Sequence, residues 1–171
     1  DRITAWDVVN EAVNDDGELR ESVWLDGMGE RYIEQAFRYT ASATDAQLFY
    51  NDYGLPYNEE KRERVHDLLA TLLDRGVPID GIGLQLHCVG VHPGPEQVRE
   101  TIERFQELGL TVRVSELDVA YEKDQAPDEL EAAQAQYYRD IVQTCLDTGV
   151  STISWWGVLD NRSWITTFRD Y

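Results

Sequence analysis

Trp6-Asp7-Val8-Val9-Asn10-Glu11-Ala12 joins two β-branched residues directly to an amide and a carboxylate. Val8 and Val9 suit a buried strand. A buried strand that ends in adjacent polar groups leaves them desolvated unless they face a cavity. In α/β barrels that cavity lies at the carboxyl ends of the strands, where catalytic residues sit. Glu11 is therefore a candidate catalytic carboxylic acid, and Asn10 a candidate substrate-holding neighbour. On these residues alone, capping of a following helix remains an equal alternative.

The same pattern repeats down the chain. A strand is expected over 3–9, followed by a loop from Asp15 to Gly27 and a helix from about Gly29 to Ala43, whose apolar residues Tyr32, Ile33, Ala36 and Phe37 recur at helical spacing. Residues 46–50 read as a strand that ends in Asn51 and Asp52, and Glu59 to Arg75 as an amphipathic helix stopped by Gly76 and Pro78. A strand over 79–86 ends at His87, and a helix over 95–108 is stopped by Gly109. A strand over 111–114 ends in Ser115, Glu116, Leu117 and Asp118; a helix over 128–147 and a last strand over 150–158 follow. Strand and helix alternate throughout, which predicts a parallel sheet with right-handed crossovers. No glycine-rich phosphate loop follows any strand, which disfavours a dinucleotide-binding fold.

The strand ends fall near Glu11, Asn51, His87, Glu116 and Gly157, at spacings of 40, 36, 29 and 41 residues. Eight units of that size need roughly 290 residues, within the range of a (β/α)8 barrel. The expected fold is thus α/β, a TIM barrel incomplete in this chain and holding strands 4 to 8, with no closing helix in the tail to Tyr171. The alternative is an open five-stranded α/β domain. The start at Asp1, a few residues before an apparent buried strand and without a signal-peptide pattern, is expected to lie inside a longer protein.

Composition narrows the function. The net charge of −18 on 171 residues argues against a nucleic-acid partner, which needs a positive surface. No apolar run approaches the roughly 20 residues that cross a bilayer, so no membrane association is expected. A neutral polymer such as a polysaccharide suits this charge, and the surplus acid serves solubility or adaptation to high salt. Cys88 and Cys145 sit in apolar runs and read as buried free thiols. His66, His87 and His92 match no common zinc spacing, so no metal is expected.

Two glutamates at strand ends, Glu11 and Glu116, supply what cleavage of a glycosidic bond requires. One carboxyl protonates the departing oxygen, and another attacks the anomeric carbon or activates water. Strands far apart in sequence face each other across a barrel mouth, so the 105-residue separation is no obstacle. Glu116 and Asp118 share one face of an extended chain. An imidazole such as His87 is suited to donate to Glu116 while Asp118 orients it. Gln85 faces the same way as His87. Aromatic rings stack on the apolar faces of sugars. Trp155 is assigned to the core, Trp156 and Trp164 to the cavity wall, and Tyr53 and Trp24 to loops at the mouth.

Trp6-Asp7-Val8-Val9-Asn10-Glu11 resembles the acid/base motif of glycoside hydrolase family 10, the endo-1,4-β-xylanases. Asn51-Asp52-Tyr53, Gln85-Leu86-His87, Ser115-Glu116-Leu117-Asp118 and Trp156-Gly157 with Asp160 and Ser163-Trp164 resemble the family's later motifs, in its order. The resemblance covers nearly the whole chain and implies that residues 1–171 are part of one catalytic domain. It implies Glu11 as general acid/base, Glu116 as nucleophile and Asn10 as the ligand of the sugar 2-hydroxyl. His87 and Asp118 would hold the nucleophile; Gln85, Trp156 and Trp164 would shape the sugar subsite, and Tyr53 would line the leaving-group side. Trp6 would pack beneath the site. The implied activity is hydrolysis of internal β-1,4 bonds of xylan or xylo-oligosaccharides with retention, by a monomeric enzyme without cofactor, extracellular because its substrate is a polymer. The family's glycone-side lysine and histidine lie on its first three strands and have no counterpart here. A retaining barrel glycosidase acting on glucan or mannan, a non-catalytic carbohydrate-binding barrel and a segment inactive on its own are the alternatives.

Overall fold

A computed structural model describes residues 3–121 and 127–165; the tail over 166–171 lies outside them. Five strands form one sheet in chain order: β1 Ala5–Asn10, β2 Gln47–Tyr53, β3 Gly81–Val89, β4 Thr111–Ala120 and β5 Ile153–Trp155. Every adjacent pair is parallel. Helices α1 Val23–Met28 and α2 Arg31–Ala41 follow β1, while α3 Glu59–Asp74, α4 Pro95–Gln106 and α5 Pro127–Asp147 follow β2, β3 and β4. The strand order never reverses, so there is no switch point of the doubly wound kind. The architecture is that of five successive units of a (β/α)8 barrel.

Local chemistry sets the elements. Asn58 caps α3 by accepting from the Lys61 N–H at 3.1 Å. Gly76, at φ 65°, ends that helix in a left-handed conformation open to glycine. Between them Val65, Leu68, Leu69 and Leu72 are buried against the sheet. Each such side chain contributes roughly 1.5–3 kcal/mol. The core lies between the helices and the sheet's outer face: Ile33 and Phe37 of α2, Ile82 and Leu84 of β3, Ile102 and Phe105 of α4, and Ile141 of α5 are fully buried. Cys88 and Cys145 are buried and unpaired.

Four sequence expectations need correction. The loop from Asp15 to Gly27 contains α1, capped by Ser22, whose hydroxyl accepts from the Leu25 N–H at 3.1 Å. That helix buries none of its six residues and so carries no apolar period. Strands β2 and β4 run through Tyr53 and Ala120, which puts the polar motifs inside strands rather than just beyond them. The last strand shrinks to Ile153–Trp155, and Trp155 is 56% exposed instead of packed in the core. Trp6, expected beneath the site, is 44% exposed. The two tryptophans share one reason: β5 and β1 are the outer strands of the sheet, and among the described residues no further strand pairs with either.

Two irregularities set which way the site residues face. Along β1 the pairing jumps from Asp7↔Phe49 to Val9↔Tyr50, so Val8 is an extra residue. Along β4 it jumps from Leu84↔Val114 to Gln85↔Glu116, so Ser115 is extra. A bulge reverses the in–out alternation beyond it. Asp7 and Arg113, paired with each other across the inner face, are followed on that face by Asn10 and Glu116 instead of Val9 and Leu117.

Candidate active site

The register brings the polar strand ends side by side: Asn10 opposite Asn51, Gln85 opposite Glu116, and His87 opposite Asp118. Two amides then tie the two glutamates into one network. Asn51 Nδ2 donates to Asn10 Oδ1 at 2.8 Å and to Glu116 Oε1 at 3.3 Å. Gln85 Nε2 donates to Asn10 Oδ1 at 3.1 Å and to Glu11 Oε1 at 3.2 Å. Ser115 Oγ donates to Asn51 Oδ1 at 2.5 Å, which fixes the Asn51 amide with its nitrogen toward Asn10 and Glu116. Gly83 leaves the room this needs: a Cβ there would lie 2.2 Å from Asn51 Oδ1.

Beyond Glu116 a second chain leads away. His87 Nε2 lies 3.2 Å from Glu116 Oε2, and His87 Nδ1 lies 2.9 Å from Asp118 Oδ1. Trp164 Nε1 donates to Asp118 Oδ2 at 2.6 Å, and its ring meets the imidazole edge-on at 4.9 Å. Burial alone would depress the His87 pKa. Hydrogen bonds to Asp118 and Glu116 outweigh it and push the imidazole up to about 9. At neutral pH it is an imidazolium donating from both nitrogens, so each carboxylate receives a charge-assisted bond.

Glu11 closes the network at the other end. It is the single described non-glycine residue in the left-handed region, at φ 53°, and its N–H donates to Asn51 O at 2.8 Å. A strained backbone held in this way is common at functional sites. Arg20 Nη1 pairs with Glu11 Oε2 at 2.5 Å. Burial raises the Glu11 carboxyl, but Arg20, Gln85 and Asn10 together bring it below the ordinary carboxylate value. A cavity of about 470 Å³ opens beside it, lined by Asn10, Glu11, Arg20, Trp24, Tyr32 and Tyr39.

Asn10, Glu11, Gln85, His87, Glu116, Asp118 and Trp164 thus form one connected cluster, as their types suggest. Trp156 stands nearby, 6.4 Å edge-on from the His87 ring and half exposed. Tyr53 lies to the side of the hydrogen-bonded cluster; its phenol is pushed up to about 12 by burial and by Asp15, with the Glu11 charge adding to it. Beneath its ring lies Lys61 Nζ, 3.2 Å from the centroid. Lys61 is fully buried and 2.9 Å from Asp52 Oδ1, a charge contact without the alignment of a hydrogen bond. Tyr50 Oη donates to Asp52 Oδ2 at 2.6 Å and accepts from the Ala12 N–H at 3.2 Å, so this buried pair braces the residue after Glu11. Arg20, Lys61 and the bridging role of Asn51 escape a reading by sequence. Asn51 carried a signal, as a polar residue closing an apolar run; Arg20 and Lys61 sit among charged neighbours that read as solvated surface. Among the described residues, no group of three or more His, Cys, Asp or Glu side chains is arranged to hold a metal ion.

A parallel barrel sheet whose carboxyl-end face carries two carboxylates, bridged by amides and flanked by tryptophans, is the arrangement of a barrel glycosidase. The chain belongs to glycosyl hydrolase family 10, whose family profile matches residues 1–171. It is 40% identical to endo-1,4-beta-xylanase B of Thermotoga neapolitana over 98% of its own length and 49% of that protein's. Xylanase 10B from Thermotoga petrophila, solved with xylobiose, superposes with a TM-score of 0.93 at 41% identity, over 98% of this chain and 52% of that one. An intracellular xylanase from Thermoanaerobacterium saccharolyticum, solved as a mutant with xylotetraose, superposes at 0.88 and 34% identity, over 95% of this chain and 50% of that one. The chain spans about half the length of the curated relatives it matches.

Proposed function

We propose that residues 1–171 carry the catalytic pair of an endo-1,4-β-xylanase that cleaves internal xylosidic bonds with retention. The observation that carries this reading is the amide bridge from Glu11 through Asn10, Gln85 and Asn51 to Glu116, with His87 on the far side. Glu116 forms a bond to the anomeric carbon as the bond to the leaving oxygen breaks, and Glu11 gives that oxygen its proton. Water then attacks the same carbon, Glu11 takes its proton, and the Glu116 carboxylate leaves. The two half-reactions need Glu11 first as acid and then as base. Asn51 and the His87 imidazolium supply donors to Glu116 in its charged form. The relatives solved with xylobiose and xylotetraose support xylose-based oligosaccharides as ligands.

Replacing Glu116 with Gln removes the nucleophile while keeping the shape of the side chain. Xylan hydrolysis by the 171 residues within a complete eight-strand barrel is expected to fall by at least roughly 10⁴-fold. Retained hydrolysis would sink the assignment. Parallel assays on cellulose and mannan separate the xylanase reading from its glucan and mannan alternatives, and the same assay on the 171-residue chain alone shows whether it acts by itself. A polymeric substrate supports an extracellular site of action; the intracellular Thermoanaerobacterium relative is the counter-example, and fractionation of the host culture decides.

A further inference from the structure

Arg20 is nine residues from Glu11 in sequence yet directly beside it in space, and the chain builds this proximity deliberately. Residues 12–20 form a hairpin. Val13 and Leu19 make an antiparallel bridge, the Asn14 N–H donates to Glu18 O, and the Arg20 N–H donates to Ala12 O, both at 2.8 Å. Gly17, at φ 77°, turns the tip. The hairpin is anchored from outside as well: Asn58 Nδ2 donates to Asp15 O at 2.8 Å, and the Ala12 N–H donates to Tyr50 Oη. Arg20 is therefore delivered to the residue after Glu11 by backbone bonds rather than by a freely moving side chain.

The two oxygens of Glu11 have different partners. Oε2 takes the Arg20 guanidinium at 2.5 Å, and Oε1 takes the Gln85 amide at 3.2 Å. Gln85 is a neutral donor at a longer distance; Arg20 is a fixed cation at a shorter one. The other titratable groups around Glu11 are Tyr53 of β2, whose phenol feels the Glu11 charge, and Tyr32 of α2, which lies within reach of the Arg20 charge. The Glu116–His87–Asp118 chain stands beyond Gln85 and Asn51. Arg20 is the cation of this set in direct contact with the Glu11 carboxyl.

We propose that Arg20 is a positioning residue for the second half-reaction: it engages Glu11 Oε2, so that Oε1, held by the weaker Gln85 contact, is the oxygen that meets the incoming water, and it supports Glu11 as the base that accepts the water's proton. This rests on the retaining glycosidase reading above. In the first half-reaction the same carboxyl must carry a proton, a state the guanidinium opposes. Arg20 thus favours deglycosylation over glycosylation. As the lowered Glu11 pKa is consistent with the contact, removal of the guanidinium shifts Glu11 toward its protonated form.

The test replaces Arg20 by Leu and, conservatively, by Lys. With the Arg20 side chain half exposed, the pair contributes little to folding, so both variants are expected to keep the wild-type circular dichroism. On the 171-residue chain, the carbon-13 titration of the Glu11 carboxyl, assigned with Glu11→Gln, moves to higher pH in Arg20→Leu and returns toward wild type in Arg20→Lys. Within the complete barrel, dinitrophenyl β-xylobioside needs no proton for its leaving group, so its kcat reports deglycosylation. Arg20→Leu is expected to lower that kcat roughly tenfold and to lower KM with it, as the glycosyl-enzyme accumulates. An unmoved Glu11 titration, or an unchanged kcat and KM on the aryl substrate, overturns the proposal. Failure of the glycosidase reading shows separately, as hydrolysis that survives Glu116→Gln.

Discussion

His87 shows how much of this site rests on a single ionisation. Its imidazole is buried, which alone favours the neutral form, yet two carboxylates hold it charged up to about pH 9. In the unfolded chain the same group titrates near 6.5. A pKa raised on folding adds stability that is fully present below the unfolded value and is lost as the pH rises through the folded one. The thermal midpoint is therefore expected to fall between about pH 6.5 and about pH 9, beyond the change shown by His87→Gln, in which this titration is absent. A midpoint with the same pH dependence in both proteins would show that the His87 charge does not couple to folding. At the same scale, sequence told the site apart from its surroundings unevenly. Glu11, Glu116 and His87 stand out because each closes an apolar run in the sequence. Arg20 does not, because its place depends on a hairpin whose closing contact, Val13 with Leu19, is a tertiary fact rather than a periodic one.

The elements carry the next level of control. Alternation along a regular strand would point Val9 and Leu117 at the cleft. The extra residues Val8 and Ser115 reverse that phase and bring Asn10 and Glu116 inward. The shared face of Glu116 and Asp118 was legible from their i, i+2 spacing, since both lie beyond the bulge. The bulges themselves were not legible, because a one-residue slip has no composition signal and shows only in the partner strand's register. Between them β3 keeps a gap at Gly83, filled by the Asn51 amide. A methyl group at Gly83, 2.2 Å from Asn51 Oδ1 and 3.1 Å from Ser115 Oγ, cannot be accommodated without moving Asn51. Gly83→Ala is expected to cost about 1–3 kcal/mol of stability, as overpacking does. Its effect on catalysis should be larger in kind: Asn51 loses its reach to Asn10 and Glu116, and xylan hydrolysis in the complete barrel falls at least roughly tenfold. Thermal denaturation and initial rates measured on one preparation separate the two effects; unaltered rates would remove Asn51 from the mechanism.

At the scale of the whole molecule, the parallel order was legible because apolar strands and amphipathic helices alternate, but the exposure of Trp6 and Trp155 was not, since burial depends on which strands lie outermost. Among the described residues β1 and β5 each present an unpaired side, and around them Trp6, Trp155, Trp156, Val158 and Leu159 are exposed. Open edges of this kind, with apolar side chains beside them, promote pairing with another chain. Opposing that is the net charge of −18, which sets identical chains against one another. The balance turns on screening: the Debye length is about 30 Å at 0.01 M salt and about 3 Å at 1 M. The 171-residue chain is expected to sediment as a single small species at low salt and to associate, in a concentration-dependent way, at molar salt. The same residues within a closed eight-strand barrel have no free edge and are expected to keep one sedimentation coefficient across that range. If the 171-residue chain stays monomeric at molar salt and high concentration, its outer strands are protected by something other than charge. If it associates equally at low salt, the acidic surface is not what keeps the edges apart.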